Sequence, residues 1–212
     1  MTKYIIIGPA SYILEKDNKE FIDSFDKVIR IKSGYPVPKE LEKHLGSRTD
    51  ILYTNLVERR NNLSEENLNL IKNNNIKLKY PFPILDDYTN LDLNNTIKII
   101  YNEFTKKNNI NIDTINLETY KKVHSYLNKR PSILPLIITD LLNNNTKEIH
   151  LLGFTFRLNW LENFNVLDGT YANYYRCSRD IVSSYSGIKF NQVHDIQKEY
   201  EYIKSLKNKL YL

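Results

Sequence analysis

The sequence predicts a single α/β domain over residues 1–212, with a mostly parallel central sheet flanked by helices. Two observations carry that prediction. Short apolar runs alternate with amphipathic stretches almost to the end of the chain, the rhythm of strands and helices taken in turn. The chain is also long enough, at 212 residues, to bury one sizeable core, and no internal repeat or Pro/Gly/Ser-rich linker divides it.

The elements follow in order. Tyr4 to Ile7 reads as a buried strand that ends at Gly8-Pro9-Ala10-Ser11. Lys19 to Phe25 reads as a helix with Phe21, Ile22 and Phe25 on one face, and Lys27 to Ile31 as a second strand. Pro38 to Leu45 is a short helix stopped by Gly46, and Asp50 to Leu56 is a third strand. Ser64 supplies an N-cap and Glu65 and Glu66 the first-turn acids for a helix carrying Leu68, Leu70 and Ile71. Lys77 to Tyr80 is a fourth strand closed by Pro81 and Pro83; Asn94 or Asn95 caps a helix through Phe104, and Leu117 to Leu127 forms another. Pro131-Ser132 opens a helix from Ile133 to Leu142, because a helix start tolerates a missing N–H. Glu148 to Phe154 is the strongest strand of the second half, and from Asp195 onward Ile196, Tyr200, Ile203 and Leu206 recur at helical intervals.

Composition narrows the function classes. Apolar residues make up 41% and charged residues 26%, which excludes wholesale disorder. The single cysteine, Cys177, allows no intrachain disulfide and fits a reducing compartment. No apolar run approaches the roughly 20 residues that span a bilayer, and the N-terminal apolar segment is too brief for a signal peptide, so the expected location is the cytoplasm. The 27 asparagines, many in clusters between periodic segments, are a codon-bias signature rather than a functional feature. A net charge of +5 raises nucleic acid as a partner, but the lysines are scattered and solvated faces explain them better.

In open α/β sheets ligands bind beyond the carboxyl ends of the strands. Gly8 to Ser11, Lys32 to Gly34 and Gly153 to Thr155 occupy such positions, and Pro131-Ser132 offers a free helix N-terminus for an anion. The first loop lacks the spaced glycines of a dinucleotide fingerprint, and no Gly-Lys-Ser/Thr phosphate loop occurs. His44, His124, His150 and His194 lie far apart without a cysteine partner, so no metal or other cofactor is expected. Asp86-Asp87 reads as part of a loop.

Several segments, in order, resemble the sialyltransferase family of eukaryotes. Ile5 to Ser11, Phe21-Ile22-Asp23, Asp26 to Lys32 and Leu45 to Asp50 are similar to the family's large motif. Pro131 to Leu134 with Lys147 to Phe154 resembles the small motif, Asn173-Tyr174-Tyr175 the third, and His194 with Glu199 the His-x4-Glu of the very small motif. The resemblance covers most of the chain and suggests a short, divergent member, of the kind a virus or protist would encode.

The resemblance implies a Rossmann-like sheet in a variant GT-A glycosyltransferase fold. It also implies a CMP-activated sugar donor, a glycan hydroxyl as acceptor, inversion and no metal. It makes His194 the general base, a role suited to an imidazole whose ordinary pKa is about 6.5. Glu199 orients a neighbouring helix end or loop, and Gly8, Ser11, Lys32, Asn55, Ser132, Gly153, Asn173 and Tyr174 line the donor site. Pro9, Lys32, Ile133, Leu134 and Asn173 depart from the family pattern at donor positions, as does the absence of the family's disulfide and anchor. Arg30 is expected to be a buried ion-pair partner. The alternative is a protein that binds a nucleotide or nucleotide sugar without transferring it.

Overall fold

The computed structural model describes residues 2–56, 63–85, 95–146, 148–154, 194–206 and 210–211. Seven strands, β1 (Lys3–Ile7), β2 (Lys27–Ile31), β3 (Ile51–Tyr53), β4 (Lys77–Tyr80), β5 (Asp113–Thr114), β6 (Glu148–Leu152) and β7 (Leu210–Tyr211), form one sheet in the order β5-β4-β3-β2-β1-β6-β7. Every neighbouring pair is parallel. The predicted α/β architecture is therefore the one observed. The described α-helices are α1 (Lys19–Asp23), α2 (Glu42–Leu45), α3 (Glu65–Asn73), α4 (Asn95–Asn108), α5 (Leu117–Leu127), α6 (Ile133–Asn143) and α7 (Ile196–Ser205).

Successive strand residues face opposite sides of a sheet, and the two cores follow from that alternation. Ile5, Ile7 and Val28 join Ile13, Ile22, Phe25 and Leu45 on one side. Ile6, Ile29, Leu78, Ile149 and Leu151 join the larger core, which holds residues of α3, α4, α5, α6 and α7, on the other. A one-residue slip of β1 would exchange these sets, and with each buried isoleucine contributing about 1.5–3 kcal/mol the register is firmly specified.

Helix starts match their local chemistry. Ser64 accepts from the Asn67 N–H, Asn116 from Thr119 and Asp195 from Lys198, each an N-cap of its helix. α6 differs, because Ser132 makes no side-chain bond into its own helix and no acid stands in the first turn.

α6 is also fixed to the sheet through Asp140. Its Oδ2 lies 2.7 Å from the Tyr53 hydroxyl and 2.5 Å from Lys79 Nζ, and Asp140 and Tyr53 are buried. The Asn144 amide donates to the Asp140 carbonyl at 2.7 Å. Burial, and then the Asp140 charge, push the Tyr53 hydroxyl well above the ordinary tyrosine range.

Some packing differs from the sequence-based expectation. Phe21 is half exposed and Ile22 alone of that helix's apolar pair reaches the core, because α1 is only five residues long and presents a narrow face. Leu70 is also exposed. In α7 the buried stripe is Ile196, Glu199, Tyr202 and Ile203, so Tyr202 takes the inward place expected for Tyr200. Arg30 is 1% exposed, but its guanidinium donates to the carbonyls of Leu45, Gly46 and Arg48 and to the Thr49 hydroxyl rather than to a carboxylate. The loop from Leu45 to Thr49 wraps its carbonyls around the planar donor fork and satisfies it without a second buried charge. β6 stops at Leu152, where Gly153 turns to φ +81°, two residues before the expected end.

Candidate functional site at the carboxyl edge of the sheet

β1 sits in the middle of the strand order, with β2 on one side and β6 on the other. The connections leaving the sheet diverge between β1 and β6, and such a switch point opens a crevice at the carboxyl ends. Two glycines face each other there. A Cβ on Gly8 would lie 2.3 Å from the Gly153 carbonyl oxygen, and one on Gly153 would lie 2.6 Å from the Gly8 oxygen. The Gly8 N–H donates to the Leu152 carbonyl at 2.7 Å and the Ala10 N–H to Gly153 at 2.8 Å. Here the loop after β1 and the end of β6 touch backbone to backbone, which only glycine at both places permits.

Tyr12 completes this contact. Its hydroxyl oxygen accepts from the Gly153 N–H at 2.9 Å and from the Phe154 N–H at 3.2 Å, while the side chain is 41% exposed. Along the same edge, Lys32 follows β2 with a left-handed φ of 53°, its N–H bound to the Tyr53 carbonyl at 2.6 Å. Thr54, fully buried, accepts from the Leu56 N–H and turns the chain beyond Asn55. Ser11 opens the short 3-10 turn after the first loop.

A second group of predicted residues meets at the N-terminus of α6. Glu199 Oε1 accepts from the Ser132 N–H at 2.6 Å and its Oε2 from the Ser132 hydroxyl at 2.5 Å. α7 thus supplies the carboxylate that α6 lacks in its own first turn, where the helix dipole favours negative charge. His194 Nδ1 stands 2.7 Å from the Arg130 carbonyl and 3.7 Å from Glu199 Oε1. A carbonyl only accepts, so Nδ1 carries the proton. Asp195 rather than His194 caps α7. The imidazole is left oriented by backbone on one nitrogen and backed by a buried carboxylate.

The architecture has counterparts among solved proteins. The monofunctional alpha-2,3-sialyltransferase Cst-I from Campylobacter jejuni superposes with a TM-score of 0.58 at 18% identity, over 99% of this chain and 75% of that one. CstII from the same organism gives 0.56 at 18%, over 100% and 81%, and a mammalian sialyltransferase 0.58 at 15%, over 99% and 67%. The fold is that of the sialyltransferases. No protein-family profile matches the sequence, and no curated protein matches it significantly. In the sialyltransferase fold of this chain, Gly8 joins Gly153 at the switch point, Lys32 and Asn55 follow neighbouring strands, and His194, Glu199 and Ser132 form one node. Asn173 and Tyr174 lie outside the described residues, as does the Ser11 side chain.

Sequence reasoning missed two contributors. Arg130 orients His194 through its carbonyl and lays its guanidinium 4.7 Å from the centre of the Phe82 ring, just past β4. Tyr12 was the other. Neither carries a spacing signal, because one acts through backbone and the other through a fold-back across 141 residues of sequence. His44, His124 and His150 pack locally against Lys16, Tyr120 and Tyr211. Among the described residues no group of three His, Cys, Asp or Glu could hold a metal ion, and no helix is long and apolar enough to cross a membrane.

Proposed function

We propose that the chain is an inverting, metal-independent glycosyltransferase that moves a sialic-acid-like sugar from a CMP-activated donor to a glycan hydroxyl. The observation that carries this reading is the His194 geometry. Nδ1 is held by the Arg130 carbonyl at 2.7 Å, so Nε2 is the basic nitrogen, and Glu199 waits 3.7 Å away to stabilise the imidazolium that proton uptake creates. In the proposed step Nε2 takes the proton of the acceptor hydroxyl as its oxygen bonds to the anomeric carbon. The bond from that carbon to the phosphate oxygen breaks, and CMP departs as a phosphate monoester dianion. Gly8, Ser11, Lys32, Asn55, Ser132, Gly153, Asn173 and Tyr174 are the proposed donor contacts, with Lys32 supplying a cation beside the phosphate. The Ser132 N–H and hydroxyl proton are both committed to Glu199, so what Ser132 offers the donor is an acceptor lone pair on its hydroxyl.

Support for the substrate class comes from proteins of the same fold. CstII has been solved with the substrate analogue CMP-3FNeuAc and with CMP and a trisaccharide acceptor, and a mammalian sialyltransferase with Gal-beta-1-3GalNAc-ortho-nitrophenol. The proposed donor is tested by thermal shift with CMP, UMP, AMP and GMP. Ligand at about 100 times its dissociation constant adds roughly 2.7 kcal/mol, a rise of about 5–10 °C at this size. The reading expects that rise for CMP selectively; no response to CMP contradicts it.

A further inference from the structure

We infer that Tyr12 is a donor-binding residue, whose hydroxyl donates to an anionic oxygen of the nucleotide phosphate at the β1–β6 switch point. The inference rests on the proposed CMP-sugar reading and adds a residue to it. Tyr12 Oη accepts two backbone N–H bonds, from Gly153 at 2.9 Å and Phe154 at 3.2 Å. A phenol accepts with its lone pairs and donates through one hydrogen, so both accepting directions are filled and the proton remains. Among the described residues nothing accepts that proton. The two N–H groups polarise the oxygen and strengthen its hydrogen as a donor, since bonds in a chain reinforce one another.

Place and exposure agree. The hydroxyl sits against Gly153, whose carbonyl holds Ala10 at 2.8 Å, so it stands at the crevice where an open α/β sheet receives its ligand. Tyr12 as a residue is 41% exposed, while its oxygen is held by the two N–H groups. At the same time Tyr12 covers the Gly153 and Phe154 N–H groups, which would otherwise face an anion themselves. It therefore relays their charge through an O–H placed one bond further out. Pro9, which lacks a donor N–H and a polar side chain, makes such a relay chemically useful in this loop.

The test is calorimetric titration of the wild-type protein and Tyr12→Phe with CMP and with cytidine, alongside a thermal melt of each. A hydrogen bond to a charged oxygen predicts that CMP binding weakens by about tenfold or more in the variant. Cytidine, which has no phosphate, should bind both proteins equally. Unchanged CMP affinity, an equal loss for CMP and cytidine, or tighter CMP binding each overturns the inference. The last outcome would make Tyr12 a plug over the N–H pair. These results leave the CMP-sugar reading standing as long as the wild-type protein binds CMP; a wild-type protein that binds neither ligand overturns both.

Discussion

Helix α6 is held near its two ends by buried carboxylates, and the two serve different purposes. Asp140, in the C-terminal half, is enclosed: Tyr53 and Lys79 donate to the same oxygen from β3 and β4, and Asn144 closes the helix end beside it. Glu199 is buried too, but it spans from α7 to the N-terminus of α6 and stands 3.7 Å from the His194 imidazole. Asp140 uses its charge to balance a lysine, and Glu199 sets its charge against a helix N-terminus with the His194 imidazole beside it. Burial of a carboxylate therefore does not mark function by itself. What distinguishes the two is what stands beside them: a tyrosine and a lysine at Asp140, a helix N-terminus and an imidazole at Glu199.

The largest effect is expected at Asp140. Asp140→Ala leaves the Lys79 ammonium, 13% exposed, beside an empty acceptor site. Removing one partner of a buried pair costs about 3–5 kcal/mol, so the melting temperature should fall by about 10 °C or more. Its activity per folded molecule should stay near wild type; a selective loss of transfer would merge the two nodes.

Glu199→Gln gives the intermediate effect. The amide keeps the shape and one accepting oxygen but removes the charge facing the α6 N-terminus and His194, a stability loss of about 1–2 kcal/mol by denaturant titration. Transfer should fall by about 10–100-fold with CMP affinity retained, since the lost interaction is strongest when the imidazole is charged. Equal activity would reduce Glu199 to a second Asp140.

Tyr53→Phe is the mildest. It deletes one donor to Asp140 while Lys79 remains, at about 1 kcal/mol. The tyrosine also carries a pH signature. Its hydroxyl is held above the ordinary range, so it stabilises the fold below the unfolded tyrosine's pKa of about 10, and that contribution is lost as pH rises through the higher folded value. Tyr53→Phe should therefore show a flatter alkaline limb in its stability curve, with transfer unchanged.

The sequence was most legible where the local pattern alone decides. β2, β4 and α5 carry the expected limits because an apolar run or a capped amphipathic stretch fixes them. β5 and β7, two residues each, carry no periodicity that a window could detect and exist because a neighbouring strand offers its edge. Arg30 was legible as buried, but its partners were not, because the carbonyls of Leu45, Gly46 and Arg48 are turned inward by a loop whose shape is tertiary. The same division holds in the candidate site. Gly8, Gly153, His194 and Glu199 are reached through the resemblance of ordered segments, since they stand in motif positions at the ends of β1 and β6 and around the start of α7. Arg130 and Tyr12 enter through a backbone oxygen and a long-range fold-back, which no spacing encodes.

The His194 imidazole is proposed to take the acceptor proton, and that role decides the mechanism. It is tested most directly by single-turnover transfer from a CMP-activated sialic acid to a galactose-terminated glycan, comparing the wild-type protein with His194→Ala. A loss of about a hundredfold to ten-thousandfold in the transfer rate is expected, with CMP affinity unchanged within about twofold. His194→Ala transferring at the wild-type rate would contradict it.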